Sequence, residues 1–217
     1  MKIIWFDFGG VLSPSIPDLF TSYYLKTGIP PVVLQKAMKE VADDMNMDML
    51  AAIEKAIITE YEWGTRIRQK LNLSFPEINL SKARLEQFGK QWFEGVLPNK
   101  LMIDLFYKIK LAGLKVGILT NNVLEWENHW KRVIGISGDV DLIVDSCKVG
   151  YRKPEAEIFT IATQQANVSP EECLLIDDVL ENCIAAEQSG WHTVHFKDNS
   201  DAVKKVMELL LKQEVFL

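Results

Sequence analysis

The chain has 217 residues, of which 48% are hydrophobic and 25% charged, which is ordinary for a globular protein. Its net charge of -6 argues against a general nucleic-acid binder, because such a chain does not neutralise a row of phosphates. No stretch has the roughly 18 consecutive apolar residues of a membrane span, and the N-terminus lacks the pattern of a secretory signal. We therefore expect a cytoplasmic protein without nucleic-acid or membrane partners, either a monomer or a weak homodimer.

The first predicted element is a strand over residues 3–6, IIWF, followed by Asp7 and a glycine pair. A short apolar run bounded by glycines is typical of a strand that is buried on both faces of a parallel sheet. Asp7 therefore lies at the carboxyl end of that strand. An Asp in this position is either a turn or capping residue, or a nucleophile or metal ligand held on a rigid element.

Only helices are predicted between residues 14 and 97. Apolar residues recur at helical spacing in 19–24, 33–41 and 50–58, in a segment capped by Thr59 that runs to Leu71, and in about 81–94. A crossover between neighbouring parallel strands needs only about a dozen residues, so most of this segment is an insertion. The sequence thus predicts a helical cap domain at 14–97 and a core domain formed by 1–13 and 98–217.

After residue 98 the predicted helices and strands alternate. The predicted helices cover 98–112, 123–134, 154–166, 181–189 and 201–212, the last capped by Ser200, and the strands cover 115–119, 141–144, 174–176 and 193–196. Such alternation is typical of an α/β protein with an open parallel sheet. The predicted core is therefore a Rossmann-like sheet with helices on both of its faces.

Polar residues follow four successive parts of this core: Asp7, then Thr120 with Asn121, then Lys153, and finally the pair Asp177 and Asp178. Each group alone has a structural explanation as a helix cap, a solvated lysine or a turn. Ligands of such sheets, however, bind outside the carboxyl ends of the strands. Adjacent acids also repel each other unless a cation or hydrogen-bond donors compensate. We therefore expect all four groups to meet at one edge of the sheet.

Phosphoryl transfer through an aspartyl-phosphate requires a set of this kind. The Asp7 carboxylate would attack phosphorus, and Asp177 and Asp178 would supply oxygen ligands to Mg²⁺. A hydroxyl, an amide and an ammonium would hold the remaining phosphate oxygens, which are the roles predicted for Thr120, Asn121 and Lys153. The predicted substrate is a small phosphorylated metabolite.

Four motifs, IIWFDFGGVL, GILTNN, VGYRKPEAEIF and LLIDDVLEN, resemble in their order the signature motifs of the haloacid dehalogenase superfamily. The helical insert resembles the cap of the branch that includes sugar-phosphate phosphatases, the phosphatase domain of soluble epoxide hydrolases, and the dehalogenases. The resemblance is strongest to the sugar-phosphate phosphatase-like members.

The resemblance assigns a role to each residue of these motifs. It implies that Asp7 is the nucleophile and that the main-chain carbonyl of Gly9 joins the metal ligands. Further implied roles are phosphate binding by Thr120 and Asn121, pairing of Lys153 with nucleophile and phosphate, metal binding by Asp177 and Asp178, and support from Asn182. Arg152 either reaches the substrate or is an exposed structural arginine.

Gly9 departs from the family pattern, since most of its phosphatases carry there a second Asp that acts as general acid and base. A positioned acid-base group contributes typically 10² to 10⁴ in rate. We therefore predict a hydrolase that is slow on alkyl phosphates. The alternatives are a metal-independent 2-haloacid dehalogenase, which also lacks the second Asp, and a catalytically weak binding or regulatory protein.

Aromatic residues of the insert have two explanations: they line the cleft between cap and core, or they form the interior of the cap. The residues concerned are Tyr23, Tyr24, Trp63, Trp92 and Phe93. Aromatic residues at helical spacing are more often interior.

Overall fold

The computed structural model describes residues 1–136 and 138–212. Its centre is a sheet of five parallel strands in the order β3-β2-β1-β4-β5. The strands are β1 (Ile3–Phe6), β2 (Lys115–Thr120), β3 (Leu142–Asp145), β4 (Cys173–Asp177) and β5 (His192–His195). The parallel sheet confirms the predicted fold class.

Strand β1 is the middle strand, and all four of its residues are buried. Phe6 is in register with Ile118 of β2 on one side and with Ile176 of β4 on the other. The Asp7 amide continues this ladder by donating to the carbonyl oxygen of Ile176 at 2.9 Å. The residue that follows β1 is therefore held at a defined height above the edge of the sheet.

Helices cover both faces of the sheet, as the alternating pattern predicts. The helices after residue 98 are α6 (Lys100–Leu111), α7 (Glu127–Ile134), α8 (Ser146–Val149), α9 (Ala156–Ala166), α10 (Leu180–Gln188) and α11 (Asn199–Leu211). The short helix α8 has no counterpart in the predicted elements. The predicted cap of the last helix is wrong, since Asp198 and not Ser200 accepts the hydrogen bond from the Asp201 amide at 2.9 Å.

The segment between β1 and α6 is helical in all its regular elements. Its helices are α1 (Ile16–Thr27), α2 (Pro31–Asp44), α3 (Ala51–Glu54), α4 (Glu60–Ser74) and α5 (Phe88–Trp92). As predicted, Thr59 caps α4, accepting a hydrogen bond from the Glu62 amide at 3.2 Å. None of the helices in the described ranges has the length and hydropathy of a membrane span.

Two of the predicted helices in this segment are too long. Helix α3 is a single turn because the chain takes a positive φ of 52° at Ala56. The predicted helix at 81–94 is reduced to α5 and one short turn at Leu85–Gln87. Here the Gln91 side chain accepts from the Arg84 amide and donates to the Lys82 carbonyl, both at 2.8 Å. These backbone groups are satisfied without a helix.

The chain leaves and re-enters the core at neighbouring points. The Asn99 amide donates to the carbonyl oxygen of Leu12 at 2.9 Å, and its side-chain amide donates to that of Val11 at 2.9 Å. An inserted domain requires that its two connections to the core lie side by side, as these two do. The division into a cap at 14–97 and a core at 1–13 and 98–217 stays a prediction, which this adjacency supports.

Candidate active site

The candidate site lies where the strand order reverses. Strand β2 follows β1 in the chain and pairs on one side of it, whereas β4 pairs on the other side. Asp7 directly follows β1, Asp177 is the last residue of β4, and Asp178 follows it. Because loops diverge at such a point, a crevice opens above the carboxyl ends of the strands. The fold therefore brings residues separated by some 170 positions of chain into one group.

Lys153 joins the two parts of this group. Its Nζ donates to Asp7 Oδ1 at 2.8 Å and to Asp177 Oδ2 at 2.6 Å, and its side chain is 1% exposed. Burial disfavours the ammonium, but the carboxylates of Asp177 and Asp7 outweigh this and raise the pKa of Lys153. Lys153 therefore stays charged, held between two carboxylates.

Asn121 fixes the position of Lys153. Its side-chain oxygen accepts from the Lys153 amide at 2.8 Å, and its side-chain nitrogen donates to the Lys153 carbonyl at 2.8 Å. This pair of bonds ties the loop after β3 to the end of β2. The predicted contact of Asn121 with phosphate is untested, and the geometry shows a positioning contact. Thr120 is buried as the last residue of β2.

The two adjacent acids after β4 differ in their surroundings. Asp177 is fully buried, and besides Lys153 its carboxylate accepts from the Val179 amide at 2.9 Å and from Asn182 Nδ2 at 3.0 and 3.2 Å. Asp178 is half-buried and lines the cavity beside Asp7. Asp177 is thus engaged by internal donors, while Asp178 faces the space a ligand would enter.

Asp7, Asp177 and Asp178 each offer an oxygen, and these oxygens lie within 4.8 Å of one another. Burial raises the pKa of Asp7, a shift that Lys153 opposes and the charges of Asp177 and Asp178 reinforce. Burial and the Asp177 charge raise the pKa of Asp178 to about 6. Three carboxylates against one ammonium leave an excess of negative charge, and a carboxylate oxygen set suits a hard divalent cation. The residues present therefore fit a divalent metal ion.

The glycine pair shapes the turn that follows Asp7. Gly10 has a φ of 80°, which strains any other residue, and a Cβ there would lie 2.3 Å from Asp178 Oδ2 and displace that carboxylate. Gly9 lines the cavity with ordinary angles, φ -68° and ψ 119°, and a Cβ there would meet Ile16 Cδ1 at 3.5 Å. Nothing in the backbone forbids a larger residue at Gly9.

A cavity of about 450 Å³ adjoins Asp7, Lys153 and Asp178. Two aromatic residues predicted for either the cleft or the interior line it, Trp92 and Phe93. Tyr23 and Trp63 are buried in the hydrophobic interior, and Tyr24 is largely exposed. Further apolar residues on the cavity wall are Ile16, Leu19, Phe20, Met38, Leu50, Phe88 and Trp126.

Arg152, for which the sequence leaves two roles open, lines the cavity. Arg152 is not an exposed arginine: its side chain is 16% exposed and its Nε donates to Glu54 Oε2 at 2.7 Å. Glu54, Asn122 and Trp126 also line the cavity. Their sequence neighbourhoods resemble ordinary helix and loop, so no local signal marks them.

Solved structures of similar fold include a HAD family enzyme and a haloacid dehalogenase. A HAD family enzyme from Bacteroides thetaiotaomicron, solved with magnesium and inorganic phosphate, is 21% identical, with 91% of this chain and 94% of that chain covered and a TM-score of 0.61. An L-2-haloacid dehalogenase from Xanthobacter autotrophicus, solved with covalently bound chloropropionic acid, is 14% identical, with 100% and 85% covered and a TM-score of 0.64. At these identities the likeness shows the fold alone.

Curated relatives match along almost the whole chain. Sesquiterpene phosphatase astK of Aspergillus oryzae is 25% identical over 210 residues, covering 96% of both proteins. Acyl-CoA dehydrogenase family member 10 of Mus musculus is 27% identical over 213 residues, covering 96% of this chain. The chain spans only 19% of that mouse protein.

The sequence model of one family matches residues 1–190, which include all four motifs and every residue of the site. That family is described as haloacid dehalogenase-like hydrolase. Together with the parallel sheet and the carboxylates at its edge, this match shows that the chain belongs to the haloacid dehalogenase-like hydrolases.

Proposed function

We propose that this hydrolase is a Mg²⁺-dependent phosphomonoesterase that works through an aspartyl-phosphate on Asp7. One observation carries the proposal: Lys153 Nζ bridges Asp7 and Asp177 at 2.8 and 2.6 Å beside the third carboxylate, Asp178. At the mouth of the cavity, the Asp7 carboxylate provides a nucleophile, and the Lys153 ammonium provides charge neutralisation for a phosphate.

In the proposed reaction an oxygen of the Asp7 carboxylate attacks phosphorus. Lys153 Nζ holds Oδ1, which leaves Oδ2 as the attacking atom. The bond from phosphorus to the ester oxygen breaks, and the alkoxide leaves as the alcohol after taking a proton from water. Water then hydrolyses the aspartyl-phosphate, which releases inorganic phosphate and restores the carboxylate. Lys153 neutralises charge on the phosphoryl oxygens throughout.

The metal would be held by Asp7, the carbonyl of Gly9 and Asp178, with Asp177 acting through water and through Lys153. When bound, Mg²⁺ supplies charge neutralisation to the transferred phosphoryl group. Asp178 is proposed as the direct ligand because the Asp177 carboxylate already accepts hydrogen bonds from internal donors.

Two similar proteins support this proposal. The name of the Aspergillus oryzae relative is that of a phosphatase, and the Bacteroides thetaiotaomicron enzyme was solved with magnesium and inorganic phosphate. Both properties belong to those proteins, and the proposal extends them to this chain on the strength of its own carboxylate group.

The test is hydrolysis of p-nitrophenyl phosphate, whose good leaving group needs no general acid. We expect phosphate release that requires Mg²⁺, stops with EDTA and is lost in Asp7→Asn. The matched control is Asp104→Asn, which removes an exposed carboxylate paired with Lys100 and should leave the rate unchanged. Equal rates for Asp7→Asn and the wild type would overturn the assignment of the nucleophile.

The metal-independent dehalogenase is the alternative, and Gly9 is the observation that favours it, because a halide leaves without a general acid. EDTA-insensitive chloride release from 2-chloropropionate, without phosphatase activity, would establish it. If the protein releases neither chloride from 2-chloropropionate nor phosphate from a panel of phosphorylated metabolites, a binding or regulatory role would be favoured.

Metal binding has a readout independent of turnover. Since three carboxylates repel one another, Mg²⁺ should raise the melting temperature of the wild-type protein, and by linkage the shift grows with concentration. Asp178→Asn should abolish most of this shift.

A further inference from the structure

The cavity beside the candidate nucleophile has an apolar wall. Besides the carboxylates, the polar residues Glu54, Asn122, Arg152 and Glu181 line it, and its apolar side chains come mainly from the helical segment and from Trp126 of the core. The largest of these are Phe20, Phe88, Trp92, Phe93 and Trp126. At about 450 Å³, the cavity has the size of sites that enclose a small organic molecule, and far exceeds what a phosphate group alone requires.

The aromatic wall is held in place by ring contacts. Phe88 stacks on Trp126 with centroids 5.6 Å apart and on Trp92 at 5.1 Å, and Phe20 meets Trp92 edge to face at 5.0 Å. Each such pair contributes to rigidity beyond the burial of its area. A ligand therefore enters a preformed cavity whose side chains lose little freedom on binding.

Two polar side chains of this wall, those of Trp126 and Glu54, already have partners. Trp126 Nε1 donates to Glu60 Oε1 at 2.6 Å, and Glu60 also accepts from the Gly89 amide at 2.6 Å. Glu54 is paired with Arg152 at 2.7 Å. A sugar hydroxyl placed against the aromatic rings of this wall would lose hydrogen bonds to water without full replacement, which carries a free-energy cost. A hydrocarbon group carries no such cost.

From these observations we propose that the substrate is a phosphate monoester of a largely hydrocarbon alcohol, whose apolar part fills the aromatic cavity while its phosphate meets Asp7 and Lys153. The inference rests on the proposed phosphatase function and specifies its substrate class. It departs from the sugar-phosphate class that the sequence motifs resemble most, because the motifs describe only the phosphate end of the site.

The test is a series of n-alkyl phosphates from butyl to octyl, compared with glucose 6-phosphate, using the full chain with Mg²⁺. We expect kcat/KM to rise about threefold to fourfold per added methylene, the value for burying a CH₂ group, until the cavity is filled. At low substrate concentration, the hydrolysis of glucose 6-phosphate should be slower than that of hexyl phosphate by a factor of about ten or more. The same series is titrated by calorimetry into Asp7→Asn, which does not turn over.

A cavity variant and its neighbour provide a matched pair. Leu50→Gln places an amide on the cavity wall at a half-buried position, whereas Met49→Gln changes the adjacent exposed residue, which does not line the cavity. Leu50→Gln should lower the preference for octyl over butyl phosphate about threefold or more. Met49→Gln should leave this preference unchanged.

The outcomes separate the two proposals. Hydrolysis of p-nitrophenyl phosphate with no dependence on alkyl chain length, or a preference for glucose 6-phosphate, would overturn the substrate class and leave the phosphatase function standing. Failure to hydrolyse any phosphate ester would overturn the phosphatase function. In that case, the dependence of the binding free energy on alkyl chain length, measured by calorimetry on Asp7→Asn, would decide whether the cavity selects hydrocarbon groups. No dependence on chain length would reject that selectivity.

Discussion

At the scale of single residues, Gly9 is the position at which this chain departs most from the chemistry of its family. The family resemblance places a general acid there, and the structure shows why glycine is not required. The backbone angles are ordinary, and a Cβ would make only van der Waals contact with Ile16. The fold would therefore accommodate an acidic residue at position 9, and the acid is missing only because this residue is glycine.

Gly9→Asp should consequently increase activity. A carboxylic acid at this position can protonate the leaving alkoxide, so the rate on an alkyl phosphate should rise about tenfold or more, and the rate on p-nitrophenyl phosphate should change little. The control is Gly9→Ala, which adds the Cβ without the acid. The measurement is kcat for Gly9→Asp and Gly9→Ala on hexyl phosphate, and equal values would contradict the prediction.

Gly10, in contrast, is required by the fold. Gly10→Ala and Gly28→Ala both place a Cβ at a φ near 80°, which costs each variant about 1 kcal/mol of unfolding free energy. Only at Gly10 would the new atom also overlap Asp178, because at Gly28 no atom lies within 4 Å. We expect Gly10→Ala alone to need more Mg²⁺ for half-maximal activity. Identical Mg²⁺ curves for both variants would exclude this role.

At the scale of elements, the short helix α8 begins at a buried acid. Asp145, the last residue of β3, caps it by accepting from the Cys147 amide, and its Oδ2 has no partner within the described residues. Burial raises the pKa of this carboxyl from 3.8 to about 6, against the opposing Cys147 hydrogen bonds. The folded state therefore holds the proton more tightly than the unfolded state does.

This shift predicts a pH dependence of stability. The stabilisation from Asp145 is fully present below about pH 4 and is lost as the pH rises through about 6, a change of up to about 3 kcal/mol. In Asp145→Asn this loss should be absent. Urea unfolding at about pH 4 and pH 7 should therefore show the variant gaining stability relative to wild type. A constant difference at both pH values would refute the shift.

Ion pairs connect the helical segment to the core near the cavity. Arg152, in the loop after α8, pairs with Glu54 of α3, and Glu155 pairs with Lys55 at 2.9 Å. Burial raises the pKa of Glu54, and Arg152 opposes that shift. Since the Glu54 carboxylate is buried, its charge depends on this partner.

Arg152→Met should therefore destabilise the fold by about 2 kcal/mol, because it leaves Glu54 buried and unpaired. Arg66→Met removes an exposed pair with Glu62 on α4 and should cost less than about 0.5 kcal/mol. Adding Glu54→Gln to Arg152→Met should restore part of the loss. Urea unfolding measures all three, and equal losses for the two arginine variants would contradict the buried pairing.

At the scale of the whole molecule, the core elements other than α8 could be predicted from sequence, and the insert only in part. Strands β1 to β5 lie within one residue of their predicted bounds. The signal is strongest for β1 and β4, which are buried along their whole length, because such strands are short, continuous apolar runs. The helix predicted at 81–94 is wrong, since the Gln91 side chain satisfies the backbone at residues 82 and 84. A hydrogen bond from a side chain to the backbone seven or nine residues away leaves no periodic signal.

The sequence by itself determined the parallel α/β core and the polar groups that follow its strands, because strand burial and strand ends are local properties of the chain. That these groups meet at one edge was also expected from the sequence, but only the tertiary structure decided the individual contacts: Lys153 bridging Asp7 and Asp177, Asn121 on the Lys153 backbone, and Asp178 toward the cavity. The aromatic wall likewise exists only in the tertiary structure, because its residues come from helices far apart in the chain. Contacts between distant segments depend on packing in three dimensions, and no local pattern of residues encodes them.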